Sequence, residues 1–538
     1  MEQCKVSLFD IPLVLDEIAS RLELKDLQHC VRVSRSFWSS FVPYLWRDVH
    51  FDSLRNQERL KLDDPNSPFL LTSDATPAER REYYHHSIRS IHLSASLAVW
   101  PNVSDSPCFP NLRRFRLRNQ NRSGEDDPTF TVPHVLSFLA VHWNLQSIEL
   151  SDVDVGHDFG QRFQAVMAAL PYLTQLVLDV NGKLSFLDHL SLLEDSQRLE
   201  RLHLSIDSSL FEYHDMLKPQ IELYSQRMKA MKPEVSKIKD LFLNTEHFAT
   251  VMGDYMQRCP LLERLTVRTM LVVKPTLDLA DIIQDHCPRL RHLDVRSLHL
   301  SDNAQARMIV ACRKTEEQSQ RKSGLESLKI RPHKVSAETT LNAILLHRAT
   351  LTSIAANQGK GLAASGLQLI LTNCVNLRSL TVKLVFSDTL LIPIDEIEGE
   401  RWNCPNLRSL ALLSVDYCTS RGRDDAADYL RYFYRQAGMA TTLETLLFQL
   451  SNAEWVPTRV LFSDGIKEFH NLKRLRVFGF HKEEASLLKK HHVELMLQMW
   501  PKLEQLGGLL DHYCTSGLAA WLTKARPDLE LSSVRNLL

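Results

Sequence analysis

The pattern L-x-x-L-x-L, with Ile, Val or Phe as substitutes, recurs fifteen times from residue 88 onward. Clear copies are NLRRFRL (111–117), NLQSIEL (144–150), YLTQLVL (172–178), RLERLHL (198–204), KIKDLFL (237–243), LLERLTV (261–267) and RLRHLDV (289–295). The series continues through GLESLKI (324–330), NLRSLTV (376–382), NLRSLAL (406–412), TLETLLF (442–448) and NLKRLRV (471–477). Weaker copies are SIRSIHL (87–93), TLTSIAA (350–356) and KLEQLGG (502–508). The first apolar positions run from 88 to 503, fourteen steps averaging about 30 residues. Leucine supplies 88 of 538 residues, so chance would give one or two matches but not an ordered series.

Repeats of this form at roughly 20–29 residues are leucine-rich repeats, and insertions stretch several steps here. The alternating x-L-x-L segment makes a short strand with its apolar side inward. Helical stretches such as LADIIQDHCP (279–288) and GLQLILTNC (366–374) lie between strands. Many end in a proline just before the next strand, as at Pro110, Pro171, Pro260, Pro288, Pro405 and Pro501. Proline stops the helix and sets the turn. No single strand–helix unit buries its own apolar face, so neighbours must stack. The expected fold over 88–538 is therefore an α/β leucine-rich-repeat solenoid, a horseshoe with a parallel concave sheet and convex helices. Long gaps at 205–237, 296–324 and 413–442 read as projecting loops.

Composition excludes other classes. Hydrophobic residues make up 44% and charged residues 24%, an ordinary globular balance. Lys+Arg is 64 and Asp+Glu 65, a net charge of −1, which argues against a surface built for nucleic acid or an anionic membrane. No apolar run approaches the ~20 residues of a membrane-spanning helix. The first residues, broken by Asp10, Pro12 and Asp16, do not form a signal peptide. A cytoplasmic or nuclear location follows as an expectation, and the ten scattered cysteines read as small buried hydrophobes.

Residues 7–51 depart from the repeat. Ile11, Leu15, Ile18 and Leu22 make one helical stripe, with Pro12 at its start. A second helix begins near Asp26, with Leu27, Cys30 and Val31 apolar. A third runs from Ser34, a candidate N-cap, through Phe37, Trp38 and Phe41 to Pro43, and Leu45-Trp46 follows. Three short helices rich in large apolar residues are too small for a good independent core. They need either the solenoid's first strand or another protein.

This stretch resembles an F-box. The family pattern opens on an apolar-Pro pair (Ile11-Pro12) followed by spaced aliphatics (Leu15, Ile18, Leu22). A Leu-x-Asp-Leu step comes next (Leu24, Asp26, Leu27), then the core Val31-Arg32-Val33-Ser34-Arg35-Ser36-Phe37-Trp38, then Leu45-Trp46. Val14 replaces the acidic residue usual after the proline. The pairing of box and repeats is similar to the F-box/leucine-rich-repeat sets of filamentous fungi. The resemblance implies a substrate-recognition subunit of an SCF-type ubiquitin ligase. Its box would bind a Skp-type adaptor, and through it a cullin, by way of Ile11, Pro12, Leu15, Ile18, Leu22, Leu27, Val31, Trp38, Leu45 and Trp46. Its repeats would hold a protein target for ubiquitination and proteasomal degradation. Such a receptor is no enzyme and needs no cofactor or metal; it raises the local concentration of a target lysine. The alternative is a repeat scaffold or inhibitor whose N-terminal helices only cap the array. Residues 52–87 read as a connector.

The residue between the last two leucines of each copy points opposite to its apolar neighbours. That row holds Arg116, Glu149, Val177, His203, Phe242, Thr266, Asp294, Lys329, Thr381, Ala411, Leu447 and Arg476. Mixed charge with exposed apolar members (Val177, Phe242, Leu447) suits a protein surface better than a nucleic-acid groove. From this row Arg116, His203, Phe242, Asp294, Lys329, Leu447 and Arg476 are the expected target contacts. Arginines crowd the first good copy (Arg113, Arg114, Arg116, Arg118, Arg122), a pattern suited to acidic or phosphorylated segments as well as to a plain solvated face. The stretch Gly359-Lys360-Gly361-Leu362-Ala363-Ala364 matches a nucleotide fingerprint, but every repeat is strand–loop–helix, so its context confirms nothing. Asp152, Asp154, His157 and Asp158 lack the spacing of a calcium loop.

Overall fold

The structure, a computed structural model, describes residues 12–45, 47–51, 86–94, 109–118, 132–155, 159–182, 198–207, 226, 235–244, 252–268, 279–298, 300–313, 324–332, 338–356, 362–386, 401–417, 423–449, 466–480, 488–509 and 516–533. The chain divides into two units, Met1–Cys259 and Pro260–Leu538.

The first unit opens with three helices, α1 (Pro12–Arg21), α2 (Leu24–Cys30) and α3 (Arg35–Leu45). Seven described strands follow: β1 (Asp48–Phe51), β2 (Ser90–Ser94), β3 (Arg114–Arg118), β4 (Ser147–Val155), β5 (Gln175–Gly182), β6 (Arg201–Asp207) and β7 (Asp240–Asn244). Helices α4 (Val132–Val141), α5 (Phe159–Ala169) and α6 (Met252–Met256) lie between or after them. Each strand from β1 to β7 pairs in parallel with the next. Position four of the motif is in register along the row Val49, Ile91, Phe115, Ile148, Leu176, Leu202 and Leu241. From Ile91 onward these side chains and the leucines two residues on are buried, and the Phe115 ring lies 5.4 Å from Phe138 of α4.

The second unit repeats the scheme with strands β8 (Arg264–Arg268), β9 (His292–Asp294), β10 (Ser327–Lys329), β11 (Ser353–Ala356), β12 (Leu362–Ala363), β13 (Ser379–Phe386) and β14 (Ser409–Tyr417). β15 (Thr445–Gln449), β16 (Val477–Phe480), β17 (Gln505–Gly507) and β18 (Glu530–Ser532) complete it. Its helices are α7 (Leu279–His286), α8 (Asp302–Ala311), α9 (Glu338–Leu345), α10 (Ala364–Asn373), α11 (Arg423–Met439), α12 (Ile466–Glu468), α13 (Lys490–Met499) and α14 (Ser516–Ala525). Among the described residues all its strand pairings are parallel, and β11 pairs directly with β13 while β12 adds two residues beside β13. Position four (Leu265, Leu293, Leu328, Ile354, Leu380, Leu410, Leu446, Phe478, Leu506) is fully buried. The last repeats carry an aromatic core, in which Phe448 meets Tyr434 of α11 at 5.5 Å and Phe478 meets Trp500 at 4.8 Å. Each unit is thus an α/β leucine-rich-repeat solenoid; fourteen of the fifteen sequence copies fall on strands in the expected register, and at 471–477 the strand forms three residues later. Among the described residues no helix is long and apolar enough to cross a membrane.

The slot three residues before the first leucine shows how successive repeats are tied. It holds His142, Cys259, Cys287, Cys374, Cys404 and Trp500, all buried. Trp500 Nε1–H donates to the Phe469 carbonyl at 3.1 Å, and the Cys404 thiol lies 2.9 Å from the Leu371 carbonyl oxygen. Burial pushes the Cys287, Cys374 and Cys404 thiols up to about 12, so they stay neutral and unreactive.

Three boundaries differ from expectation. The F-box-like segment runs on into β1, which pairs in parallel with β2, so residues 48–51 belong to the sheet. Its Val49 and Phe51 fill the leucine slots, which is why a leucine count passed over it. Similarly, β18 continues the array beyond the fifteenth copy. Pro43 lies inside α3 rather than at its end. A proline clashes with the turn before it and lacks one N–H, so the two residues after it can complete the last turn.

Candidate functional site

The three-helix unit is built on a small core. Leu15 and Ala19 from α1, Leu27 from α2 and Phe41 from α3 are buried together. Around them Ile18, Leu22, Cys30, Val31, Phe37, Tyr44 and Leu45 are only partly covered. Local signals fix the helices. The Phe37 N–H donates to Ser34 Oγ at 3.1 Å, the expected N-cap of α3. The Glu23 N–H donates to the Asp26 carboxylate, which starts α2 two residues earlier than Asp26 itself. Asp16 ties α1 to the end of α3 and the residue before β1: it hydrogen-bonds Tyr44 and lies 3.6 Å from Arg47. Burial, then that carboxylate, pushes the Tyr44 hydroxyl up to about 12.

The expected adaptor-contacting residues therefore separate. Leu15 and Leu27 face the bundle interior and set helix spacing. Ile18, Leu22, Val31 and Leu45 form the half-buried shell. Pro12 opens α1 and Trp38 lies on α3, whereas Ile11 and Trp46 fall outside the described residues. Sequence reading did not single out Val33, in the turn after α2, which is 66% exposed. Its position just past the helical stripe was the available signal.

On the sheet face turned away from the helices, the first unit puts Arg116 on β3, His203 on β6 and Phe242 on β7 in one register row, with Glu149 and Val177 between. Arg116 pairs with Glu149 at 2.7 Å. His203 and Phe242 stack with ring centroids 3.6 Å apart, in register with Val177. Arg114 and Arg118 flank Arg116 on the same strand, and all three are exposed. Arg118 lies 3.7 Å from Asp152, whose φ of 57° marks the bulge in β4. Asp152 thus serves the strand, not a cation. Arg122 and Gly359–Gly361 fall outside the described residues.

The second unit corrects three expected contacts. Asp294 is buried, and Arg296 two residues on grips both its oxygens at 3.0 and 2.9 Å. Its charge is spent within the chain, and Lys329, also on this face, lies 3.9 Å away. Leu447 is 2% exposed, packed with Ala411, Leu413 and Val477 in a separate apolar cluster. It is not an exposed anchor. Arg476 is not on this face row at all. Strand β16 pairs Leu446 with Phe478 and Leu447 with Gly479, so Leu475 takes the first-leucine slot and Gly479 the position between leucines. The stretch 471–480 holds two overlapping matches three residues apart, and the second wins because it buries Phe478 and Phe480 completely.

Arg476 belongs instead to the position after the first leucine. There, within each unit, residues donate their backbone N–H to the carbonyl of the counterpart one repeat earlier, as in Arg113 to Arg89 (2.8 Å) and Glu504 to Arg476 (2.8 Å). The result is a ladder in each unit along the rim where strands begin. Its side chains pair between rungs: Lys239 with Glu200 (3.0 Å), Arg291 with Glu326 (3.0 Å), Arg408 with Glu444 (3.8 Å) and Arg476 with Glu504 (2.7 Å). Among the described residues no group of three or more His, Cys, Asp or Glu could hold a metal ion.

No family model and no curated protein matches the chain. Among solved structures, the yeast Rad7 and Elc1 complex matches at 12% identity with a TM-score of 0.34, covering 74% of this chain and 75% of that one. A likeness that loose adds nothing to the architecture read from the strands themselves. That architecture defines the class: a leucine-rich-repeat protein with a three-helix unit at its front.

Proposed function

We propose that the protein is the substrate-recognition subunit of an SCF-type ubiquitin ligase. In this reading the three-helix unit binds a Skp-type adaptor, the repeats hold a protein target, and the chain performs no chemistry itself. One observation carries the proposal. The segment with the F-box pattern folds as three helices whose core is four buried residues inside seven half-covered apolar ones, with Val33 exposed beyond them. An apolar surface that large on so small a unit is suited to a partner. The second reading, a scaffold with a helical cap, is favoured by the contact of Asp16 with Arg47, the residue just before β1, which holds the unit to its own first strand.

Co-purification of the tagged full chain from cells separates the two. The receptor reading expects Skp-type adaptor and cullin with the wild type, and their loss with Val33→Asp at an unchanged thermal midpoint. Removing residues 1–46, which spares β1, should abolish capture as well. Absence of adaptor with the wild type, or capture that survives the truncation, favours the scaffold.

A further inference from the structure

The rim ladder is neutralised along most of its length but not at its start. Its first three rungs are Arg47, Arg89 and Arg113, joined by backbone hydrogen bonds of 2.9 and 2.8 Å. Asp16 answers Arg47. Among the described residues Arg89 and Arg113 have no ion pair, nor does Arg114, the next residue and exposed on the sheet face. Of the other basic rungs, four pair with an acidic rung and only Arg378 does not. Guanidinium groups one strand spacing apart, about 4.8 Å at the backbone, repel unless an anion sits between them.

A second feature adjoins this one. Trp143 and Tyr172, each 54% exposed, occupy the turns that lead into β4 and β5, with ring centroids 6.0 Å apart. Val141, 56% exposed, ends the preceding helix. Asn144 donates to the Pro110 carbonyl at 2.7 Å, tying the Trp143 turn to the turn before Arg113. Basic and aromatic groups therefore follow one another along the same rim. From Arg89 to Tyr172 is three strand spacings, roughly 14 Å, or four to five residues of extended peptide.

We infer that this rim binds a short acidic peptide segment, its carboxylates on Arg89 and Arg113 and an apolar side chain on Trp143 and Tyr172. The ladder supplies the argument for carboxylate, since Glu is what answers arginine at the other rungs. A nucleic acid is disfavoured by the acids on the neighbouring face, Glu149 and Asp152, and by the net charge of −1. That the segment belongs to a captured target rests on the receptor reading. The binding itself does not, because the test contains no adaptor.

The test is fluorescence anisotropy of the full chain with a labelled short peptide of consecutive acidic residues followed by Leu and Phe. The wild type should bind it, more weakly as salt rises, and should ignore the same peptide with Lys in place of the acids. Arg89→Gln with Arg113→Gln should weaken binding about ten-fold, as should Trp143→Ala with Tyr172→Ala. Arg378→Gln with Arg401→Gln, which removes equal charge from the other unit, should change it less than about two-fold. The inference is overturned by no binding to the wild type, by an equal loss in the control pair, or by oligothymidylate binding as tightly as the peptide. Arg89 is half-buried and the other five side chains are exposed, and the Lys-peptide comparison on the wild type stands even if a variant misfolds.

Discussion

His347 and His142 should make stability fall in mild acid, and their hydrogen bonds fix the sign. His347 Nδ1 accepts from the Leu325 N–H at 3.1 Å, so its proton is on Nε2, which donates to the Ile309 carbonyl at 2.8 Å. In His142 the tautomer is reversed: Nε2 accepts from the Phe109 N–H at 3.0 Å and Nδ1–H donates to the Phe138 carbonyl at 2.6 Å. A backbone N–H can only donate, so neither ring can take a second proton and keep both bonds. Burial lowers both pKa values below the ordinary 6.5. Below pH 6.5 the unfolded chain therefore binds protons that the folded chain refuses, and stability drops as pH falls toward the depressed value. By about pH 5.5 the loss is at most roughly 1.4 kcal/mol per histidine. His347→Leu leaves the Leu325 N–H unpaired, while the Ile309 carbonyl keeps the Cys312 N–H at 3.2 Å, and should cost roughly 1–3 kcal/mol near pH 7.5. Its further loss between about pH 7.5 and 5.5 should be smaller than the wild type's, by at most about 1.4 kcal/mol, in urea unfolding. Equal acid sensitivity in variant and wild type would refute the reasoning.

The other expectations concern single positions. Leu380→Ala, at a fully buried strand position, should cost roughly 2–5 kcal/mol by urea denaturation, whereas Leu369→Ala, 37% exposed on α10, should cost much less. Trp500→Phe keeps the ring but removes the donor to the Phe469 carbonyl, and should lower stability by roughly 1–3 kcal/mol. Gly508 has φ +102° and an added Cβ would sit 2.2 Å from the Phe480 carbonyl oxygen, so Gly508→Ala should lower the thermal midpoint clearly, while Gly517→Ala, in open space, should not.

The repeat was legible because burial writes leucine at fixed spacing, and every copy but the one at 471–477 lands on its strand in the expected register. Legibility failed where the spacing rule had two answers, as in residues 471–480, where volume in the core chose between overlapping registers. It failed at β1, where Val49 and Phe51 stand in for leucine inside a segment already read as helical. It failed at Asp294 too, since nothing in a strand pattern reveals that Arg296 turns back to hold it. For the three-helix unit, the pattern located the apolar residues but could not divide Leu15 and Leu27, which build the core, from Val33, which faces out. That division depends on how three helices cross.

The receptor reading stands or falls on the front helices meeting an adaptor directly. Calorimetric titration of the purified full chain with a purified Skp-type adaptor measures this with nothing else present. The account predicts saturable one-to-one binding that Val33→Asp abolishes without moving the thermal midpoint. No binding heat, or identical binding after removal of residues 1–46, would contradict it.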